Sequence, residues 1–449
     1  MDGPWSGRRL HFVGIGGAGM SGLALVARRL GAEVTGSDRA ADSPYLRPLR
    51  ALGVAPAMGH DAANVPAGAE VVYSTAVGPE NPERAAAERE LHRADLLGEL
   101  TRLKPTIAVS GTHGKTTTSS MVVHALRECG LDPSYLVGGE VRSTGANAAW
   151  GEGEWLVVEA DESDRSLLKL SPRIAVVTNA ELDHHATYAS RRDVDVTFAA
   201  FIGLAQEAVV GETVAYLTPV MGPAGAPDVV LARPRGIELT PGGSRFVLDG
   251  VPVELGVPGL HNAHNAAAAL EACRLAGTDV AAASAALATF AGAGRRFERV
   301  GTTDAGALVV DDYAHHPTEV AATIAAARTF APRRVVAAFQ PHLFSRTAHE
   351  AREFGAALAT ADAAVVLEIY PARERAEDHP GVSGLLVAEA AADHAGGRPV
   401  AWLPGFDDAE RFLGAFLRDG DLLLTLGAGD VDSLGRRLVA GEAPPAPNP

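Results

Sequence analysis

Lys115 is one of only three lysines in the 449-residue chain, with Lys104 and Lys169; arginine supplies nearly all the other positive charge. A drift toward arginine that spares this lysine marks a place where a compact ammonium is needed rather than a planar fork. Lys115 lies in Val109-Ser110-Gly111-Thr112-His113-Gly114-Lys115-Thr116-Thr117-Thr118. A glycine turn, an ammonium and a hydroxyl run are the chemistry that grips a nucleoside triphosphate and its magnesium. Apolar Thr106–Val109 reads as a strand entering the turn, and Thr116–Arg127 as a helix leaving it. Backbone N–H groups at that helix start face the phosphates, and the helix dipole favours their charge. The common phosphate loop has a glycine six residues before the lysine. Val109 takes that place here, so the loop is a shortened Gly-x-x-Gly-Lys-Thr.

Gly14-Ile15-Gly16-Gly17-Ala18-Gly19 also follows a strand and opens a helix, with Asp38 about twenty residues on. Glycines let a pyrophosphate approach the backbone at a helix end, and the acid meets a ribose. A nicotinamide dinucleotide and a uridine-diphosphate sugar share that pyrophosphate, so this loop leaves both open. Ser74 and Thr75, after a later strand, line the same crevice. Glu159-Ala160-Asp161-Glu162-Ser163-Asp164 closes another strand, where a hard magnesium ion would sit, with Glu159 as ligand. His184, in Leu182-Asp183-His184-His185, is an unusual but workable magnesium ligand beside carboxylates.

Asn262 reads as a helix cap, and Asn265, three residues on, shares its face. Gly294-Arg295-Arg296-Phe297-Glu298 offers guanidinium groups to phosphate at a domain boundary. Asp311-Asp312-Tyr313-Ala314-His315-His316-Pro317-Thr318 is too polar for a routine strand exit, and Gln340-Pro341-His342-Leu343-Phe344-Ser345-Arg346-Thr347 resembles it.

Three α/β units must position these groups. In the first, strands at Leu10–Gly14, Glu33–Gly36 and Val71–Ser74 alternate with helices at Gly19–Leu30 and Pro82–Arg93. The second, from near Lys104, has strands at Trp155–Glu159 and Ile174–Thr178, short antiparallel strands between Leu217 and Pro258, and a helix over Asn262–Leu275. The third begins near Arg299, with strands at Ala307–Asp311, Arg334–Phe339, Ala363–Glu368 and Asp421–Leu426. The boundaries are therefore set at 1–103, 104–298 and 299–440, with a proline-rich disordered tail over 441–449. The fold class is α/β: N-terminal Rossmann-like, central P-loop ATPase-like with a mixed sheet, and C-terminal Rossmann-like.

Hydrophobic content of 47% against 21% charged residues is that of a globular protein. The net charge of −16 argues against sequence-independent nucleic-acid binding, which needs many basic contacts. Cys129 and Cys273, the only cysteines, lack metal spacing and are too few for a disulfide framework. With no membrane-length apolar run and no signal-type core, the expectation is a cytoplasmic protein, a monomer or a homodimer.

Taken in order, Gly-Ile-Gly-Gly-x-Gly-Met, Gly-Thr-His-Gly-Lys-Thr-Thr-Thr, Glu-Ala-Asp-Glu-Ser-Asp, Thr-Asn-x-x-x-Asp-His, His-Asn-x-x-Asn-Ala-Ala-Ala, Gly-Arg-Arg-Phe, Asp-Asp-Tyr-x-His-His-Pro-Thr-Glu and Phe-Gln-Pro-His resemble the Mur ligase family of peptidoglycan synthesis. The resemblance covers nearly the whole chain. Histidine in the phosphate loop and the His-His-Pro-Thr-Glu segment place it nearest the branch that adds L-alanine to UDP-N-acetylmuramate. It implies that Gly14, Gly16, Gly17, Gly19, Asp38, Ser74, Thr75 and His342 serve the sugar nucleotide. Gly111, Thr112, His113, Gly114, Lys115, Thr116 and Thr117 would bind ATP, with Asn262 and Asn265 toward adenine and Arg296 and Asp312 completing the site. Thr116, Glu159 and His184 would hold magnesium. His315, His342 and Arg346 would face the muramyl carboxylate or the amino acid, and the third domain would close on ATP and amino acid. Leu343 departs from the family, which frequently has arginine after Pro-His. No lysine follows Lys169, so the carbamylated lysine of the later ligases has no counterpart.

The implied reaction is chemically complete. ATP phosphorylates the lactyl carboxylate, the neutral amine of L-alanine attacks the acyl phosphate, and phosphate leaves. His184 and His315 are both candidates for the base. Two further readings stand beside it: a recycling ligase adding a tripeptide to the same sugar nucleotide, and, more distantly, an NAD-dependent oxidoreductase. Tyr313 and Phe297 favour alanine addition, and the phosphate loop has no task in hydride transfer. A nucleotide-switch module would not need the first domain.

Overall fold

The computed structural model describes residues 3–39, 43, 45–185, 187–220 and 227–440; the tail from residue 441 lies outside the described residues. The chain forms two compact units. One holds the residues up to Arg235 with Val247–Val253 and His264–Ala293; the other holds Gly236–Phe246, Glu254–Ala263 and the residues from Gly294 onward.

The first unit contains two sheets. β1 (Arg9–Val13), β2 (Glu33–Asp38), β3 (Ala57–Met58), β4 (Glu70–Tyr73) and β5 (Arg89–His92) form a parallel sheet in the order β3-β2-β1-β4-β5. Its order reverses between β1 and β4, which opens a crevice beyond their carboxyl ends. β6 (Thr106–Ser110), β7 (Ser134–Val141), β8 (Ala146–Ala149), β9 (Leu156–Glu159), β10 (Ile174–Val177), β11 (Glu207–Gly211) and β12 (Asp228–Ala232) form the second, in the order β12-β11-β10-β6-β9-β7-β8. Only the β7–β8 pairing is antiparallel, so the sheet is mixed, as expected. β6 and β10 are buried along their whole length, which is why they read as unbroken apolar runs. One apolar cluster, from Trp5 through Phe12 and Leu136 to Leu217, runs through both sheets.

β13 (Arg235–Thr240), β14 (Gly243–Leu248) and β15 (Val251–Leu255) make a small sheet. In the second unit, β16 (Glu298–Thr302), β17 (Leu308–Asp312), β18 (Arg334–Phe339), β19 (Ala363–Val366), β20 (Val400–Trp402) and β21 (Asp421–Leu426) are ordered β16-β17-β21-β18-β19-β20. Alternate residues face opposite cores: Val310, Ala337 and Leu424 pack on one side, Val309, Val336 and Leu423 on the other. Both faces are therefore covered.

Two expectations are corrected. The stretch Pro82–Arg93 is not one helix: a four-residue turn, Pro82–Ala85, gives way to β5. Register decides it, with Leu91 opposite Val72 and buried at the sheet edge, and pairing outweighs helix propensity. Asn262 is not a helix cap. The helix begins at Leu260, and the Asn262 Nδ2 donates to the Pro258 carbonyl at 2.6 Å from inside the first turn.

Candidate active site

The phosphate loop is shaped by the strand beside it. Thr112 Oγ1 accepts from Glu181 N at 2.8 Å, His113 N donates to Asn179 Oδ1 at 2.9 Å, and Thr178 Oγ1 donates to the His113 carbonyl at 2.6 Å. Gly111 sits at φ +138°, and a Cβ there would lie 2.1 Å from Thr178 Oγ1. Gly114, at φ +81°, would put a Cβ 2.5 Å from Asn265 Oδ1. Neither position accepts a side chain, and Asn265 reaches the loop. The helix Lys115–Glu128 starts directly after, with Thr116 and Thr117 buried in its first turn.

Lys115 Nζ donates to the carbonyls of Gly111 (2.7 Å) and Thr112 (3.2 Å) and to Glu162 Oε1 (2.9 Å). Burial works against its proton, but Glu162, Asp161 and Glu159 outweigh it and hold the ammonium above the usual lysine range. His184, at φ +53°, turns Nε2 to 3.5 Å from both Glu162 Oε1 and Asp183 Oδ2. Glu159, at the end of β9, accepts from Gly138 N at 2.7 Å. No three of Glu159, Asp161, Glu162, Asp183 and His184 bring ligand atoms within 4.8 Å of one another. The donors are oxygen-rich and spread around Lys115. That suits magnesium, which keeps waters and phosphate oxygens as most of its shell.

At the first loop, Gly14 N and Ile15 N donate to the Ser37 carbonyl at 2.9 and 3.0 Å. Gly14 takes φ +73°. Gly16 N donates to Asp38 Oδ2 at 2.7 Å, so the acid expected on a ribose rests on the loop itself. No side chain caps the helix Ala18–Arg29 that follows. This helix is clasped from the second sheet, where Asn147 Nδ2 donates to the Ala18 carbonyl at 2.7 Å and Ala148 stands 3.2 Å from the Cβ position of Gly22. Ser74 and Thr75 follow β4 across the crevice.

In the second unit Asp312 accepts from Phe297 N and Ala314 N, each at 2.8 Å. Burial lifts its carboxyl to about 6 despite Arg296 and these donors. The two arginines divide the work. Arg295 is tied to Asp311 (3.0 Å) and to the carbonyls of Gly429 and Gly427. Arg296 lies over Tyr313 at 5.1 Å with Glu319 3.7 Å away. His315 Nδ1 is 2.9 Å from the Tyr313 carbonyl. A carbonyl only accepts, so Nδ1 carries the proton and Nε2 the lone pair. Burial, with Arg346 and His342 as neighbours, pushes the imidazole down to about 3 against the pull of Glu319. His342 stands with its ring centre 6.0 Å from that of His315 and is stacked on Tyr370. Arg346 is buried on the helix Phe344–Leu358, which Leu343 enters at φ +70°.

Comparison with known proteins gives this architecture a lineage. Residues 9–104 match the Mur ligase family catalytic domain, 109–213 the Mur ligase middle domain, and 295–429 the glutamate ligase domain of Mur ligases. The UDP-N-acetylmuramate–L-alanine ligase of Acidithiobacillus ferrooxidans is 46% identical, over 97% of this chain and 99% of its own. The chain belongs to the Mur ligase family. The enzyme of the same name from Streptomyces coelicolor is 44% identical over 96% of this chain and 97% of its own. The crystal structure of the UDP-N-acetylmuramate–alanine ligase of Thermotoga maritima superposes with a TM-score of 0.81 at 28% identity, covering 96% of this chain and 98% of that one. Among the described residues, no helix of this Mur ligase is long and apolar enough to cross a membrane.

Several working parts of this Mur ligase escape sequence reasoning. Glu162, which the sequence offered only as part of an acidic turn, holds Lys115. Asn179 was visible only as part of a motif, yet it shapes the loop at His113. Arg93, directly after β5, pairs with Asp161, just beyond β9, at 2.6 Å. Only the family's Thr-Asn-x-x-x-Asp-His spacing could have pointed to Asn179, and nothing local marks Arg93.

Proposed function

We propose that this chain is an ATP-dependent ligase that joins L-alanine to the lactyl carboxylate of UDP-N-acetylmuramate through an acyl phosphate. The observation that carries the reading is the partly buried ammonium of Lys115, in the loop that follows β6, held between two loop carbonyls and Glu162. Full-length relatives of that activity support it.

Gly111, Thr112, His113, Gly114, Thr116 and Thr117 cradle the ATP phosphates, and Lys115 moves from Glu162 to the transferring group. Thr116, Glu159 and His184 would hold magnesium, which when bound spreads the developing phosphoryl charge. Asn265 serves the adenine side in the first unit, and Asn262, Arg296 and Asp312 are the second unit's proposed contacts to the nucleotide. Gly14, Gly16, Gly17 and Gly19 receive the diphosphate of the sugar nucleotide, Asp38 leaves the Gly16 N–H for the ribose, and Ser74 and Thr75 line the crevice. The lactyl carboxylate attacks the γ-phosphorus and ADP departs. The amine of L-alanine then attacks the acyl carbon. Nε2 of His315 accepts one amine N–H, and Arg346 and His342 hold the carboxylates. An imidazole pushed down to about 3 orients the amine without retaining its proton, which leaves with the phosphate. The domain limits of 1–103, 104–298 and 299–440 and a cytoplasmic location, where ATP and uridine nucleotides are made, complete the proposal.

Phosphate release tests it. ATP and UDP-N-acetylmuramate should yield phosphate with L-alanine and not with L-alanyl-glutamyl-diamino-acid tripeptide, and the protein should turn over no nicotinamide. Phosphate release dependent on the tripeptide would move the assignment to a recycling ligase; no release with either would end it.

A further inference from the structure

Arg93 is the first residue of the helix Arg93–Leu100, directly after β5. It therefore stands at the carboxyl end of a parallel strand, where such sheets meet their ligands. Its two terminal nitrogens face different sites. Nη2 donates to Asp161 Oδ2 at 2.6 Å and lies 4.0 Å from Asp164 Oδ2. Nη1 is 3.5 Å from the Cβ position of Gly19, in the first turn of the helix that the glycine loop opens. Among the described residues only Nη2 of this guanidinium has a hydrogen-bond partner. The side chain is 22% exposed, so solutes reach it. Asp161 directly precedes Glu162, which holds Lys115 Nζ at 2.9 Å, so Gly19, Arg93, Asp161, Glu162 and Lys115 connect one loop to the other within a single compact unit.

We propose that Arg93 is a positioning residue for the sugar nucleotide: Nη1 takes an oxygen of the diphosphate at the helix start, while Nη2 stays on Asp161. The inference rests on the uridine-nucleotide reading of the first loop and adds a contact to it. A guanidinium suits the task because it binds two oxyanions at once with fixed geometry. It sets where the distal phosphate, and hence the sugar and its lactyl acid, lies relative to Lys115.

Calorimetric titration with UMP, UDP and UDP-N-acetylmuramate tests it on the intact chain. Arg93→Ala should weaken UDP and the sugar nucleotide by about ten- to a hundredfold, the scale of one charge-assisted hydrogen bond, and leave UMP and ATP unchanged. Arg93→Gln, which keeps an N–H for Asp161 and guards against misfolding, should lose UDP affinity likewise. Arg93→Lys should recover part of it. In the steady state the loss should appear in KM for the sugar nucleotide with KM for ATP unmoved. Arg93→Ala binding UDP as tightly as the parent, or losing UMP and UDP equally, would overturn the proposal. If that happens while the parent still releases phosphate with L-alanine, the ligase reading survives alone; a parent that binds no uridine nucleotide sinks both.

Discussion

At Gly16 the first loop is held by a half-buried carboxylate, Asp38, which takes its N–H at 2.7 Å. At Gly111 the second loop is wedged against Thr178, and the carboxylate that waits there, Glu162, takes a side-chain cation instead. In both cases an acid stands where a phosphate is expected. Exchanging Asp38 for a ligand trades one hydrogen bond at a half-exposed side chain. Exchanging Glu162 takes the cation from a buried carboxylate, which costs heavily unless the newcomer brings charge of its own. On the proposed reading, the second loop would yield only to a ligand of dense negative charge, and the first to a weaker one.

The sharpest break of this contrast is at Lys115. Lys115→Ala should lower turnover by about a hundred- to a thousandfold or more, with the circular dichroism spectrum retained; near-normal phosphate release would remove the distinction. Next come the glycines. Gly111→Ala meets Thr178 Oγ1 at 2.1 Å in a strained conformation and should cost about 2–4 kcal/mol. Gly16→Ala meets Asp38 Oδ2 at 2.9 Å and Ser43 Cβ at 3.2 Å and should cost less, about 1 kcal/mol. Equal urea midpoints for the two variants would show that the loops are not pinned differently. Asp38→Ala should then raise KM for the sugar nucleotide about tenfold and leave KM for ATP alone.

The smallest effect is a pH dependence in the second unit. His315 has a folded value of about 3 against its ordinary 6.5. The unfolded chain therefore binds this proton first, and the stability it contributes is present above about 6.5 and lost as pH falls toward 3. Asp312 runs the other way: lifted to about 6, it contributes below its ordinary 3.8 and loses that as pH rises through 6. Chemical denaturation of His315→Gln at pH 7 and pH 5 should show a smaller acid loss than the parent; an identical slope would mean that the imidazole takes its proton in the fold as readily as in the unfolded chain.

Both loops were legible because their chemistry is local: glycines, a lysine and a helix start lie within a few residues. The buried strands β6 and β10 were legible for the same reason. What pairing decides was not. Ala85–Glu88 favours helix by propensity, yet Leu91 belongs to a sheet edge. Arg295 and Arg296 look alike in sequence, and the fold separates them by tying Arg295 to Asp311 and to the carbonyls of Gly427 and Gly429. Arg93 is one arginine among many until β5 carries it to Asp161. His315 was readable as chemistry, but its weakened basicity comes first from burial and then from Arg346 and His342, which lie far along the chain.

The clasp of Asn147 on the Ala18 carbonyl, with Ala148 packed under Gly22, acts as a gauge. The separation of the two loops is set by the folded chain before any substrate arrives. An acceptor with one bond too many or too few between its diphosphate and its acid could dock at the near end and still miss the γ-phosphorus. Discrimination by length would then need no contact with the reacting group at all.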